Sequence, residues 1–223
     1  MKCSLADTIE KLYAAFADVP KPKLIEGCPC CIDSKNIDTL LSKPLREIPA
    51  DELYSYAFSL FLTVGSESDF KYFLPRIYDV LTTDSNFDLD PEIALRKLSY
   101  VQWQEWRQDR RLAIANFIES AFTSFVLRSQ DNNFAFLHND ADVWLCAIAH
   151  TGIAIEPLLK RIEQHPQALV DLYEQNSKAL IKGKLSNGFW HDVPNACQTT
   201  IDWFQSDRVR KSIDRQYSIL YGS

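Results

Sequence analysis

The sequence predicts an all-α protein. Apolar residues recur at helical spacing from one end of the chain to the other. Runs that alternate with period two between turn residues are missing. Only 6 of the 223 residues are glycine, which argues against a fold built from many tight turns. Roughly nine to eleven helices joined by short loops follow from this reading. They are expected to stack as hairpins in a short HEAT-like array, or to pack as a compact orthogonal bundle. The simplest organisation is a single all-α domain over 1–223, with an irregular Cys- and Pro-rich loop at about 20–49.

The elements read as follows. Leu5, Ile9, Leu12, Tyr13 and Phe16 keep the i, i+3, i+4 spacing of an amphipathic helix, which Pro20 and Pro22 end. Residues 21–49 carry Pro29, Pro44, Pro49 and the clustered cysteines. A helix starts near Ala50, with Asp51 and Glu52 in its first turn, and runs to Val64, where Gly65 stops it. Ser66 or Ser68 caps the next one, and Pro75 inside it predicts a kink or break. Asp90-Pro91-Glu92 is a start signal for a helix ending near Tyr100. The longest helix is expected from Trp103 to Arg128, with Ile114, Phe117, Ile118, Ala121, Phe122 and Phe125 as its apolar stripe. Residues 129–139 read as a polar loop. Asp140 or Asp142 starts a helix that stops by Gly152. Glu156-Pro157 and Pro166 start two more, and helices over 192–205 and 207–221 close the chain.

Composition bounds the function. Lys plus Arg is 24 and Asp plus Glu is 30, a net charge of −6. A nucleic-acid binder would show the opposite sign, so no nucleic-acid partner is expected. No run approaches the ~20 apolar residues that span a bilayer, and no membrane association is expected. Asp7, Glu10 and Lys11 interrupt any secretory apolar core at the N-terminus. Six cysteines are too few for a disulfide framework in a chain of this length. A cytoplasmic location is the expectation.

The stretches LYAAFADVPKPKLIEGCPCC, LLSKPLREIPADELYSYA, DFKYFLPRIYDVL, DPEIALRKLSYVQWQEW and KGKLSNGFWHDVPNACQTTIDWF span most of the chain. Together they are similar to a group of uncharacterised bacterial proteins with a GCPCC loop and an all-helical chain. The resemblance implies a bacterial, cytoplasmic protein and supplies no catalytic residues.

Gly27-Cys28-Pro29-Cys30-Cys31 is the most unusual feature. Three readings stand. Cys28, Cys30 and Cys31 are metal ligands, with zinc as the candidate ion, because a C-x-x-C turn brings two sulfurs onto one tetrahedral site. A fourth ligand would come from a distance, from Cys3, Cys197, Asp33, His138, His150 or His191. Alternatively, Cys28 and Cys31 are a redox pair whose thiolate is favoured at a helix N-terminus. Here Ile32-Asp33-Ser34-Lys35-Asn36 lacks the histidine that follows such a pair in alkylhydroperoxidase-type proteins. Finally, the thiols pack under a loop. Cys146, in Trp144-Leu145-Cys146-Ala147, reads as core.

The turn at Asn187-Gly188-Phe189 leads into Trp190, His191 and Asp192, which are candidates for lining a pocket; the plain alternative is a loop anchored by its aromatics. Asp84, Asn86 and Asp88 match positions 1, 3 and 5 of a calcium loop, but Leu89 and Leu95 stand where Gly and Glu are needed. Ser68-x-x-Lys71 matches a nucleophile motif without its companions, and a helix cap explains it. Trp103/Arg107 and Trp106/Arg110 are i, i+4 pairs that can stack, or a helix surface with its tryptophans turned inward. No metalloprotease, serine-hydrolase, phosphate-loop or dinucleotide motif is present. The first expectation for function is a helical module that binds another protein, as adaptor or regulator. The second is a zinc-binding or thiol-redox protein using the cysteine cluster.

Overall fold

The computed structural model describes residues 4–84, 87–127 and 140–221, with side chains through 219. Among the described residues there are eleven α-helices and no strand; the extended pairing is confined to isolated bridges of Val64 with Gly27 and Leu60. The chain divides into two compact units, Met1–Ala121 and Phe122–Ser223. No helix of the described residues is long and apolar enough to cross a membrane.

The first unit holds α1 (Leu5–Ala15), α2 (Ser34–Ser42), α3 (Ala50–Ser59), α4 (Glu67–Thr83), α5 (Pro91–Arg96) and α6 (Gln108–Phe122), which ends at its boundary. Ser4 caps α1 and Ser66 caps α4. In each, the side chain accepts from the backbone N–H three residues on, and an aspartate there, Asp7 or Asp69, accepts from the cap's own N–H. Helix α1 packs on α4, α2 on α3, and α3 on α4 and α5. Aromatic rings fill the space between them: Tyr56 lies 4.8 Å from Phe73, and Tyr78 stacks on Phe117 at 5.0 Å. Arg76 ties the 3-10 turn at Leu45–Glu47 to this core, donating from Nε and Nη2 to the Ile48 carbonyl and from Nη1 to Asp79.

The second unit holds α7 (Ala141–His150), α8 (Glu156–Ile162), α9 (Pro166–Leu180), α10 (Pro194–Gln205) and α11 (Asp207–Tyr221). Asp140 caps α7, accepting from the N–H groups of Asp142 and Val143. Helix α9 packs against α7 and α11, and α10 against α8 and α11. Phe125, in the π-helical turn Thr123–Leu127, stacks on Trp144 at 5.4 Å.

The helix starts agree with the sequence in most cases, and three stretches differ. First, the segment 20–49 is not uniformly irregular, because α2 lies inside it. Asp33 caps this helix, but Leu40 is its one buried residue, so its apolar stripe is too thin to show as a period.

Second, α3 ends at Ser59 rather than Val64. Phe61 takes a left-handed φ of 63°, and the carbonyls of Phe58 and Leu60 accept from Lys97 Nζ instead of from a further helical turn. Helix α4 continues through Pro75 without a break and, at 17 residues, is the longest α-helix among the described residues.

Third, the expected helix from Trp103 is split. A 3-10 turn spans Trp103–Glu105, α6 starts at Gln108, and the π-helical turn follows. The Trp/Arg pairs therefore do not share one helix. Trp106 is buried, donates to Glu67 and lies 4.8 Å from the Lys71 ammonium. Arg110 stacks on Phe16, and Arg107 pairs with Asp18 and Asp109. Arg128, the expected 129–139 loop, His138, Cys3, and Ser85 and Asn86 of the calcium-like stretch lie outside the described residues.

Candidate thiol site

Residues 28–31 form a tight turn. The Cys31 N–H donates to the Cys28 carbonyl at 2.9 Å, and the Ile32 N–H reaches the same oxygen at 3.2 Å. Pro29 occupies the second position of that turn, where its restricted φ is pre-set. The turn is braced on one side. The Gly65 N–H donates to Glu26 O at 2.7 Å, and the Cys28 N–H donates to Thr63 O at 2.9 Å. Gly27 lies between them because nothing larger fits: a Cβ there would meet Val64 Cγ2 at 2.9 Å and Ile32 Cγ2 at 3.3 Å. Lys97 in turn holds the bend after α3, each of its two donor contacts being 2.9 Å long. The thiol turn is thus fixed to a backbone bend that a buried lysine organises.

The three sulfurs converge. Cys28 Sγ lies 2.7 Å from Cys30 Sγ, Cys30 Sγ lies 3.8 Å from Cys31 Sγ, and all three lie within 4.8 Å of one another. Cys30 is exposed; Cys28 and Cys31 are half-buried. The packing alternative expects sulfurs pointing apart into an apolar interior, which is not what the turn presents. Cys146, by contrast, is buried in the core of the second unit.

The cluster is electrostatically uneven. The Cys28 thiol is shifted down, first by the hydrogen bond from the Cys30 thiol and then by the Cys30 backbone N–H. Cys30 is pushed up to about 11, by its hydrogen bonds to Cys28 and Cys31 and by their developing charge. Negative charge on one sulfur thus disfavours ionisation of the next. A cation placed among the sulfurs relieves that repulsion.

A tetrahedral zinc with ~2.3 Å bonds holds its sulfurs about 3.7–3.8 Å apart. The Cys30–Cys31 separation already has that value, while Cys28 and Cys30 would open by about 1 Å around an ion. Asp33, two residues beyond Cys31, is engaged as the cap of α2, accepting from the Asn36 N–H at 2.7 Å. Among the described residues the ligand set is three sulfurs, which leaves one tetrahedral position for a small molecule or a donor from elsewhere. His150, His191 and Cys197, named from sequence as distant contributors, belong to the second unit.

The second candidate, Trp190, His191 and Asp192, is not brought together as one site. Trp190 is 2% exposed and donates from Nε1 into Asp142. The His191 side chain is 93% exposed and meets Asp192 at 3.5 Å on the surface. A 3-10 turn over Gly188–Asp192 explains the split, because consecutive residues in it point in different directions. His150 is buried and places Nε2 3.1 Å from the Phe189 carbonyl. His165 places Nδ1 2.7 Å from the Arg161 carbonyl. In the Ser68-x-x-Lys71 match the cap of α4 is Ser66 and not Ser68, which lies in the first turn with its hydroxyl 2.8 Å from that of Ser66, and Lys71 is paired with Glu67 at 2.6 Å.

Sequence reasoning passed over two buried polar groups. Lys97 is 3% exposed, and burial lowers its pKa to about 8. Asp142 is buried, and burial raises its pKa although Asn176, Trp190 and Asn187 all donate to it. Lys97 sits in Arg96-Lys97-Leu98-Ser99-Tyr100, where one apolar neighbour is too weak a signal. Asp142 lies two residues from another acid and reads as one more cap.

No protein-family model, no curated protein and no solved structure matches the chain.

Proposed function

We propose that the protein binds a thiophilic metal ion, with zinc as the candidate, through Cys28, Cys30 and Cys31. The observation that carries this reading is the convergence of three sulfurs on one turn. The three-ligand set favours exchange over structural use. A closed four-ligand site locks its ion in place, whereas a three-sulfur site at the surface keeps a position through which an ion is passed on or a ligand is bound. A reducing cytoplasm, the location expected from the sequence, keeps such thiols free to ligate. This reading points to a metal-handling or metal-sensing role.

The test is elemental analysis of the full-length protein purified without chelator, with a count of reactive thiols. About one zinc per chain and three protected thiols are expected. The Cys28→Ser/Cys31→Ser variant should lose the zinc and keep its far-ultraviolet helical signal. A metal-free wild type after zinc addition and desalting overturns the reading, as does a double variant that retains zinc.

A second reading, of a helical module that docks another protein, is supported by Leu24, Phe58, Leu62 and Tyr100, large apolar side chains exposed in the same unit as the thiols. A Phe58→Ser/Leu62→Ser variant that loses a partner bound by the wild type, while retaining zinc, would favour it.

A further inference from the structure

We infer that Cys28 and Cys30 are a dithiol pair that undergoes exchange with low-molecular-weight disulfides. The C-x-x-C spacing of the sequence draws attention to Cys28 and Cys31, but the geometry points to a different pair. Cys28 Sγ is 2.7 Å from Cys30 Sγ, nearer than Cys30 is to Cys31 at 3.8 Å. That contact is shorter than a shared zinc ion would hold the two sulfurs. It brings them to within a small movement of an S–S bond of about 2.05 Å. Pro29 and the Cys31-to-Cys28 hydrogen bond restrict the turn, so little chain freedom is lost when the bond closes. Cys30 is exposed, which gives a small disulfide access to the pair.

The chemistry balances without any further reagent. One thiolate of the pair attacks a sulfur of R–S–S–R, forming a mixed disulfide and expelling RS⁻. The other protein thiolate then attacks the protein sulfur of that mixed disulfide, closes the Cys28–Cys30 bond and expels the second RS⁻. The two leaving thiolates take up the two protons lost by the protein. The protein dithiol is oxidised, and the small disulfide is reduced to two thiols.

The exchange stands whether or not the site takes a metal. Its consequence rests on the metal reading: two of the three ligands are consumed, Cys31 is left alone, and the ion is released. Oxidation and metal binding then exclude one another at one turn.

The test uses the full-length reduced protein, in metal-free and zinc-loaded forms, with oxidised glutathione as the probe. The expected products are two glutathione thiols per chain and a protein lighter by two hydrogens. The remaining free thiol of the turn is alkylated, and after cleavage at Lys23 and Lys35 the label is expected on Cys31. Cys31→Ser should still release both glutathiones. Cys30→Ser should slow release of the second by at least about tenfold, because the nearest resolving thiol is gone.

An alkyl label on Cys30 overturns the proposal, as does no disulfide at all, or loss of exchange in Cys31→Ser with its helical signal intact. Zinc binding without exchange defeats this inference alone. Exchange in a protein that binds no zinc defeats only the metal reading.

Discussion

The indole Nε1 of Trp190 lies 3.2 Å from both carboxylate oxygens of Asp142 in the interior of the second unit. Asn176 completes the arrangement. Its Nδ2 donates to Asp142 at 3.0 Å, and its Oδ1 accepts from the Ser186 N–H at 2.8 Å. Three segments are joined through one buried carboxylate: α7, α9 and the turn before α10. The network explains why a buried acid is tolerated at this position. It also accounts for Trp190 as a structural anchor.

Asp142→Ala is expected to destabilise the protein by about 3 kcal/mol, because the Trp190 and Asn176 donors lose their acceptor in a dry interior. Asp142→Asn should cost less, since it keeps one acceptor. Its pH dependence should also change. The folded pKa of Asp142 is raised above its unfolded value of 3.8, so its favourable contribution is fully present below that value and is lost as pH rises through the folded pKa. Urea titrations at pH 4 and 7 should show the wild type losing ground to Asp142→Asn on going up. An unchanged difference between the two proteins would refute the burial argument.

Lys97 has the opposite sign. Its folded pKa is depressed to about 8 from 10.5, so the unfolded chain holds the proton more tightly and stability rises with pH across that window. The wild type should gain on Lys97→Met between pH 7 and 10. At pH 7 the variant gives up two hydrogen bonds to backbone carbonyls and relieves a buried charge. Its net change is therefore expected to be small, within about 2 kcal/mol either way. Chemical denaturation at both pH values checks this; a difference that does not move with pH would rule out a buried, shifted amine.

Gly27→Ala forces a Cβ against Val64 at 2.9 Å, and Val64 is buried beneath the bend that braces the thiol turn. A loss of about 1–3 kcal/mol is expected from overpacking. Zinc affinity should fall with it, because the Cys28-to-Thr63 contact lies beside the clash. Competition with a chromophoric chelator measures the affinity, and thermal melts measure the stability. Wild-type values in both would show that the bend does not position the thiols.

His191→Ala should change stability by less than about 0.5 kcal/mol, since its side chain is almost fully exposed and its contact with Asp192 is a surface pair. A larger loss in urea titration would restore His191 to the set of residues that matter.

The helix starts were legible because their chemistry is local. Ser66, Asp140, Asp90-Pro91, Glu156-Pro157 and Pro166 each stand where the structure begins a helix. A cap or an N-terminal proline acts on backbone groups within three residues, and sequence holds that distance directly. The end of α3 was not legible. Its last carbonyls are taken by Lys97, about forty residues away in the chain, and Phe61 turns left-handed to allow it. The faint start of α2 was missed for a related reason: with Leu40 its one buried side chain, tertiary contact and the Asp33 cap hold the helix without a visible stripe.

The same division applies to the candidate sites. The all-α class and the singularity of Cys28, Cys30 and Cys31 were determined by the sequence alone. Helical periodicity and the crowding of three thiols in four positions need no partner from elsewhere in the chain. Which two thiols approach most closely was decided by the tertiary structure. The bend at 60–65 docks on residues 26–28 and sets the turn from outside, so that Cys30 folds back onto Cys28. The separation of Trp190 from His191 was decided in the same way. Asp142, itself held by Asn176 of another helix, accepts from the indole and draws it inward, and its neighbour in the 3-10 turn is left facing solvent. Spacing along a chain encodes local hydrogen bonds; the direction in which a side chain faces is set by whatever distant group is able to satisfy it.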